Sequence, residues 1–109
     1  MNLNELIEVN KIFSEGKLIN KSIIEYALFN TEKSKDWQYN VITLLNAIIC
    51  GHAFLDGNKR SGATLALWFF SKNNISYDSN LFVKSIINIA KMKKPNFKKI
   101  QKEINKCLK

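Results

Sequence analysis

Apolar residues recur every three or four positions along most of the chain, a spacing that predicts amphipathic helices. In the N-terminal third, the pattern predicts one helix over 4–14, with Gly16 as its C-terminal stop. A second helix is predicted over roughly 21–29, with Asn20 as its N-terminal cap. Residues 30–38 are polar and charged and show no periodicity, so this stretch is predicted to be a loop.

The middle of the chain contains its two most apolar segments. Residues 39–50 are almost all apolar and are long enough for a buried helix, which we expect to end at Gly51. Apolar residues resume at 62–70, inside a helix that we expect to begin near Asn58 or Lys59. These two helices should form the centre of the domain because they offer the most apolar surface to bury.

Two further helices are predicted over 79–93 and 96–108, on either side of Pro95. Every predicted element is a helix, and the chain shows no internal repeat, linker or low-complexity segment. The pattern therefore predicts a compact all-α fold in a single domain over 1–109. In the last helix, the spacing places four apolar residues inward: Phe97, Ile100, Ile104 and Leu108.

The composition is that of an ordinary globular domain, with 46% hydrophobic and 24% charged residues in 109. No apolar run approaches the roughly 18 residues of a membrane span, and the acidic N-terminus does not resemble a secretory signal, so no membrane partner is expected. Cys50 and Cys107 have no metal-ligand spacing and are expected to be small buried side chains. A cytoplasmic, reducing location is consistent with these features.

The net charge of +8 is concentrated in the C-terminal segment, because residues 91–109 hold eight lysines and one glutamate. Such a segment can meet nucleic acid, an acidic membrane surface or an acidic protein, or it can be a solvated helix face. Its one aromatic residue, Phe97, is placed inward by the helical pattern. Direct nucleic-acid binding is therefore not expected, because nucleic-acid interfaces interleave aromatic and basic side chains.

One stretch, GHAFLDGNKR at 51–60, holds the only histidine and the only arginine of the chain. A histidine can accept a proton near neutral pH, so His52 is a candidate general base. Asp56 offers a hard oxygen ligand, and Mg²⁺ is usually held by one or two carboxylates together with substrate phosphates. Phe54 is expected to anchor the loop in the core. Each of these residues alone has an ordinary structural explanation.

The helix start after Gly57 is suited to bind a phosphate. Its unpaired N–H groups and partial positive charge attract anions, and a glycine lets the backbone approach closely. Lys59 and Arg60 place two cations where the helix dipole disfavours them, a conflict that a bound anion removes. Arg60 can also grip a phosphate with two parallel hydrogen bonds. A base, a magnesium ligand and an anion site together indicate phosphoryl or nucleotidyl transfer to a hydroxyl.

The string HAFLDGNKR resembles the HxFx(D/E)GN(K/G)R signature of the Fic/Doc family. The resemblance is strict over about 52–60 and architectural over most of the remaining chain, since the family has a compact helical domain with the motif between two central helices. It implies that His52 deprotonates a hydroxyl of a target protein. It also implies that Asp56 binds Mg²⁺ at the phosphates of ATP.

The same resemblance implies that the Gly57–Asn58 turn and the following helix start form an anion cradle, and that Arg60 holds a phosphate. Adenylylating Fic enzymes usually have a glycine before this arginine and a second arginine three residues after it, whereas this chain has Lys59 and Ala63. The side chain of Lys59 fills space and adds charge where another phosphate would lie.

The NKR form is similar to the Doc (death-on-curing) toxins. This similarity implies a kinase that transfers the γ-phosphate of ATP to a Ser/Thr hydroxyl of a translation elongation factor of the Tu type and thereby arrests protein synthesis. The first alternative is a Fic-type protein nucleotidyl transferase, because the Asp-Gly-Asn sequence of the motif also occurs in Fic enzymes. The second is an inactive, basic nucleic-acid-binding protein.

Fic enzymes that restrain themselves carry an inhibitory (S/T)xxxE(G/N) helix. This chain has Glu15 and Gly16 but a lysine at position 11, so the inhibitory motif is absent. A separate antitoxin protein is therefore expected as a partner. Residues 30–38 lie where the family has a flap that aligns the target. There, Trp37 either contacts the target or packs at the start of the next helix.

Overall fold

The computed structural model describes all 109 residues, and every regular element in it is helical. The prediction of an all-α fold is confirmed. None of the helices combines the length and the apolar character needed to cross a membrane. The elements in chain order are α1 (Leu3–Phe13), α2 (Lys21–Glu32), α3 (Trp37–Leu45), a π-helical segment (Asn46–Cys50) that continues α3, α4 (Asn58–Lys72), α5 (Ser79–Ala90) and α6 (Phe97–Cys107).

Polar side chains at the helix starts explain where several helices begin. Asn2 and Glu5 form a reciprocal capping box at α1, with backbone-to-side-chain hydrogen bonds of 2.9 and 3.1 Å. Asp36, Asp78 and Asn96 each accept a hydrogen bond from a backbone N–H in the first turn of α3, α5 and α6. These local signals set the helix register before any tertiary packing.

The central helix, formed by α3 and the π-helical segment, separates two apolar clusters. The loop-side core lies among α1, α2 and α4 and includes Leu6, Ile24 and Phe54. The tail-side core lies among α4, α5 and α6 and includes Phe70 and Ile104. The Cα radius of gyration of 12.6 Å is close to the roughly 13 Å of a compact domain of about 100 residues.

The predicted loop over 30–38 is wrong in most of its length. Helix α2 continues to Glu32 and α3 already begins at Trp37, which leaves only 33–36 between them. The Asp36 carboxylate starts α3 by accepting the N–H of Gln38 at 3.0 Å, a cap that periodicity alone does not indicate. The ring of Trp37 packs edge-on against Phe70, with ring centroids 5.7 Å apart, in agreement with the packing interpretation of this residue.

The inward position predicted for Phe97 is also wrong. Phe97 is the first residue of α6, and 37% of it is exposed. Its ring contacts Tyr39 of α3 at 5.7 Å between centroids, at the edge of the core. Ile100 and Ile104 are fully buried as predicted, while Leu108 is half-buried. Helix α5 ends at Ala90, three residues before the predicted boundary.

Candidate active site around residues 51–60

Residues 51–57, here called the motif loop, join the π-helical segment to α4. The loop is paired with the segment before α2 through backbone hydrogen bonds. The N–H of Leu55 donates to the Lys17 carbonyl at 2.9 Å, and the N–H of Ile19 donates to the Ala53 carbonyl at 2.9 Å. This short antiparallel pairing fixes the path of the loop across the surface.

The wide turn of the π-helical segment brings the chain into the motif loop. The N–H of Gly51 donates to the carbonyl of Asn46, five residues earlier, at 2.9 Å. A Cβ at position 51 would lie 2.6 Å from the carbonyl oxygen of Ala47, so only glycine fits there. The predicted end of the helix at Gly51 is confirmed, and glycine is needed there because the Ala47 carbonyl of the preceding turn lies so close. Isolated π turns occur frequently at functional sites.

Phe54 is fully buried in the loop-side core, as expected of an anchor. The side-chain amide of Asn58 closes the loop over it. Asn58 Nδ2 donates to the Phe54 carbonyl at 2.8 Å, and Asn58 Oδ1 accepts the Phe54 N–H at 2.9 Å. The side chain of Asn58 is therefore engaged in the frame of the loop, which leaves its backbone N–H as the group it can offer to an anion.

Asn10 of α1 is a second member of this frame, and sequence reasoning missed it. It is fully buried. Its Nδ2 donates to the backbone carbonyl of Asp56 and to the hydroxyl of Ser61, both at 2.9 Å, while its Oδ1 accepts the N–H of Gly16 at 2.9 Å. One amide thus ties the end of α1, the motif loop and the first turn of α4 together.

Asn20 takes a role different from the predicted one. It stands at the cap position of α2 but makes no capping hydrogen bond. Instead, its Nδ2 donates to the carbonyls of Gly51 and His52, both at 2.9 Å. These carbonyls lie at the end of the π-helical segment and would otherwise lack a partner. Asn20 binds them because two carbonyl oxygens without another hydrogen-bond donor lie within reach of its side-chain amide.

Gly57 has φ +76°, in the left-handed region that favours glycine. A Cβ there would meet Asn10 Nδ2 at 3.1 Å, Ser14 Cβ at 3.3 Å and Phe13 Cβ at 3.4 Å. Both the backbone conformation and the close packing of α1 therefore require glycine. The close neighbour of this backbone is the end of α1, and the approach of a phosphate to Gly57 stays a prediction.

His52 is exposed, and it has φ +48°. A histidine in the left-handed region is uncommon, and such conformations persist where the surrounding hydrogen bonds enforce them. Here Asn20 holds the His52 carbonyl at 2.9 Å. The imidazole makes no hydrogen bond within the chain, so both ring nitrogens are available to a substrate. An exposed imidazole on a fixed backbone is the arrangement that a general base requires.

The start of α4 offers unpaired donors and cations together. The first backbone N–H of this helix with a partner is that of Ser61, which donates to the Gly57 carbonyl at 2.9 Å, and no side chain caps the helix. The N–H groups of Asn58, Lys59 and Arg60 are therefore free. Lys59 and Arg60 are exposed and form no ion pair. These positive groups favour an anion at this end of α4.

The Asp56 carboxylate is exposed and accepts no hydrogen bond, so its oxygens are free to bind a cation. No group of three or more His, Cys, Asp or Glu side chains is arranged to hold a metal ion by itself. A lone carboxylate beside an anion site nevertheless suits Mg²⁺, which binds one or two carboxylates together with substrate phosphates. The residues present are therefore compatible with a magnesium–nucleotide complex.

Cys50 lies two residues before His52, but it is not suited to act as a nucleophile. Burial raises the pKa of its thiol above the ordinary value, which lowers the thiolate fraction. Cys107 is buried and free, and burial likewise raises the pKa of its thiol. Both cysteines are unpaired; Cys107 is buried as predicted, whereas Cys50 is only half-buried.

A groove of about 310 Å³ begins beside the motif loop. Its lining includes Cys50 and Gly51, Ile23 and Tyr26 of α2, and Phe97 at the start of α6. A larger cleft of about 460 Å³ lies between α1 and α4 near Trp68 and contains none of the candidate site residues. None of the candidate site residues lines the smaller groove either, but this groove reaches the motif loop at Gly51, the residue before His52.

No protein-family model matches the chain, and no curated protein matches it either. The assignment of its chemistry therefore depends on the motif and on the geometry around it. Sequence reasoning named six residues, and the structure brings all six into one short loop and helix start: His52, Asp56, Gly57, Asn58, Lys59 and Arg60. It missed Asn10. The signal in the sequence was that Asn10 is polar although it lies four positions after Leu6, on the apolar face of α1.

Proposed function

We propose that the chain is a Doc-like toxin of a toxin–antitoxin module, which phosphorylates a Ser/Thr hydroxyl of a target protein with ATP and Mg²⁺. The observation that carries this proposal is the motif loop: a free imidazole, a free carboxylate and an uncapped, cation-rich helix start stand on one rigid frame. By the resemblance, the target is a translation elongation factor of the Tu type.

In the proposed reaction, a ring nitrogen of His52 accepts the proton of the target hydroxyl. The hydroxyl oxygen forms a bond to the γ-phosphorus of ATP, the bond from that phosphorus to the bridging oxygen breaks, and ADP leaves with the electron pair. The free N–H groups at the start of α4 and the guanidinium of Arg60 bind the phosphates and hold them in line. His52 supplies proton transfer, and the helix start supplies charge stabilisation.

Asp56 is the residue that would hold Mg²⁺. When bound with the nucleotide, the ion neutralises phosphate charge and favours the departure of the leaving group. Lys59 stands beside Arg60 with a long, unpaired side chain, whereas adenylylating relatives of the motif have glycine. Its volume and charge favour the orientation of ATP in which the γ-phosphate is transferred.

The groove that reaches Gly51, next to His52 in the chain, supports a protein substrate. It is mostly apolar, and Ile23 and Tyr26 on its wall are 44% and 69% exposed. An extended segment of a target protein can bury its apolar side chains there while it presents a hydroxyl to the imidazole. An antitoxin protein is proposed as the partner that restrains the activity, because the chain lacks the inhibitory helix motif.

The experiment that tests the proposal is a label-transfer assay. The purified chain is incubated with Mg²⁺ and a purified elongation factor of the Tu type, with ATP labelled on the γ-phosphate in one tube and on the α-phosphate in another. We expect transfer of the γ label alone, and none with His52→Asn. Transfer of the α label would indicate the alternative, a nucleotidyl transferase. No transfer from either nucleotide to this factor or to a prokaryotic lysate would overturn the proposed activity.

A further inference from the structure

The C-terminal segment carries a second surface that the motif does not use. All eight lysines of residues 91–109 are exposed, and we call these lysines, together with Phe97, the tail surface. Of these lysines, Lys106 alone forms an ion pair, with Glu103 at 2.9 Å. The other seven have no acidic partner. The tail-surface lysines are Lys91, Lys93, Lys94, Lys98, Lys99, Lys102, Lys106 and Lys109.

The lysines on α6 form a regular row. Lys98, Lys102 and Lys106 are spaced four residues apart, so they lie on one helix face at intervals of about 6 Å along the axis. The opposite face is filled by Ile100 and Ile104, which are fully buried in the tail-side core. The exposed face of α6 therefore presents a line of lysine side chains, and beyond the first turn of the helix it presents no apolar side chain.

An aromatic ring stands at the start of α6, on the side of Ile100 and Ile104 and therefore beside the lysine row rather than within it. Phe97 is 37% exposed and lies between Lys94 and Lys98 in the chain, with Tyr39 supporting its ring from the side at 5.7 Å. The helical pattern had placed this ring in the core, and that placement was the reason to expect no nucleic-acid binding. That reason no longer holds, because the ring is partly exposed and its neighbours in the chain include lysines without an acidic partner.

We propose that the tail surface binds single-stranded nucleic acid, with its lysines on the phosphates and the ring of Phe97 stacked on a base. A sugar-phosphate backbone needs only a row of cations, which this face supplies. Protein interfaces are depleted in lysine and depend on several aromatic or arginine anchors, whereas this surface has eight lysines, one aromatic ring and no arginine. A single strand is preferred to a duplex because its bases expose their faces for stacking.

The tail surface is connected to the candidate active site. Pro95 and Phe97 line the same groove as Gly51, so a strand bound along α6 would reach the entrance of that groove. The inference does not depend on phosphoryl transfer, since none of its residues belongs to the motif loop. A chain without kinase activity would still be expected to bind a strand through this face.

The test is fluorescence anisotropy with labelled oligo-U and oligo-dT of about twelve nucleotides, within the range of known single-strand sites. If about five lysines contact phosphates, the slope of log K against log salt is about −3.5, and affinity falls about a hundredfold between about 50 and 200 mM salt. We expect both RNA and DNA to bind, because the lysines recognise the phosphate that they share. Absence of saturable binding at the lower salt concentration would overturn the proposal.

Two variants and one matched control sharpen the test. Lys98→Gln with Lys102→Gln should reduce the salt slope by about 1.4, since two phosphate contacts are lost. Lys35→Gln with Lys84→Gln removes the same charge from exposed positions outside the tail surface and should leave the slope unchanged. Glutamine is a good helix former, so circular dichroism should show the same helix content in all three proteins. Equal effects of the two pairs would overturn the assignment to the tail surface.

The ring is tested separately with Phe97→Leu, which retains apolar volume but removes the stacking platform. Affinity for the single strands should fall about tenfold with the salt slope unchanged, while duplex binding should not change. If single strand and duplex bind equally and this variant has no effect, the single-strand assignment is wrong. If poly-glutamate of matched charge binds as tightly as the oligonucleotides, the partner is an acidic protein and the proposal is wrong.

Discussion

The loop-side core and the tail-side core pack against the same central helix, but polar side chains take different parts in them. On the loop side, three asparagines (Asn10, Asn20 and Asn58) bind backbone groups of the motif loop and its neighbours. On the tail side, the cluster around Ile104 is mostly apolar, with the buried Ser85 hydroxyl donating to the Glu103 carbonyl at 2.8 Å, and the lysines stand on the outside of α6. The conformation of the motif loop is thus fixed by directed hydrogen bonds, whereas α6 is held mainly by the burial of its apolar side chains.

The variant with the largest expected effect acts on the chemistry and leaves both cores intact. His52→Asn should lower the rate of label transfer by about 10² to 10⁴, because the general base is removed. Asparagine tolerates the left-handed backbone at this position, and the His52 side chain makes no internal contact, so thermal unfolding should not change. A variant that is folded and still transfers label at the wild-type rate would exclude His52 as the base.

The next prediction compares the two cores directly. Ile104→Ala should destabilise the tail side by about 2–5 kcal/mol through a cavity, as judged by urea unfolding. Asn10→Ala should destabilise the loop side by about 2–3 kcal/mol, because it leaves the Asp56 carbonyl, the Ser61 hydroxyl and the Gly16 N–H without their partner.

The activities of these two variants should differ although their stabilities are similar. Measured at a temperature where both are fully folded, Ile104→Ala should keep most of its transfer rate, while Asn10→Ala should lose at least about tenfold through misplacement of the loop. Similar rates in the two variants would show that the asparagine frame serves stability alone.

A smaller effect is expected from Arg60→Lys, which preserves the charge at the start of α4. The rate should fall about tenfold, because lysine cannot form two parallel hydrogen bonds to one phosphate. Since Arg60 forms no ion pair within the chain, the unfolding temperature should remain unchanged. The control Lys99→Arg exchanges the same two residue types on the tail side and should leave the rate as it is. Full activity in Arg60→Lys would mean that a single positive charge, without two parallel hydrogen bonds, is sufficient to hold the phosphate.

The smallest effect concerns the one acidic group of the tail. Burial alone would raise the pKa of Glu103, but hydrogen bonds from Lys106 and Asn88 outweigh it and hold the pKa below its ordinary value near 4.5. Because the folded value lies below the unfolded one, the contribution of this group is complete above about pH 4.5 and is lost as the pH falls through the folded value.

This contribution should be below about 1 kcal/mol, as for other ion pairs near the surface. Urea unfolding of the wild-type chain and of Glu103→Gln, each at pH 7 and pH 3, gives the measurement. The difference in stability between the two proteins should be larger at pH 7 than at pH 3. A difference that does not change with pH would assign the effect to packing.

Several elements followed from the sequence because their causes are local. Apolar spacing was sufficient for the six helices, and the residue types of the motif were sufficient to propose a chemistry for it. The frame was not predictable in the same way. Asn10 lies 46 residues before the Asp56 carbonyl that it binds, and Asn20 lies 31 residues before Gly51. Periodicity shows that a polar side chain lies on an apolar face, but it does not show which distant backbone atom it meets.

Phe97 illustrates a different limit. The helical pattern assigns a side chain to one face of α6, but it contains no information on where the core ends along the axis. Phe97 lies on the same side of α6 as Ile100 and Ile104. It belongs to the first turn of the helix, however, and this turn extends to the edge of the core, so part of the ring is exposed. The same limit explains the predicted loop over 30–38, where the cap at Asp36 and not the apolar spacing decides the start of α3.

The asparagine frame has a consequence for how such a site can evolve. Apart from the Ser61 hydroxyl, every group that the three amides hold is a main-chain carbonyl or N–H, as at Gly51, His52, Phe54 and Asp56. The side chains of His52, Asp56, Lys59 and Arg60 take no part in the frame. Mutation can therefore exchange the reactive groups one at a time while the scaffold persists. One backbone trace can in this way carry different sets of exposed side chains.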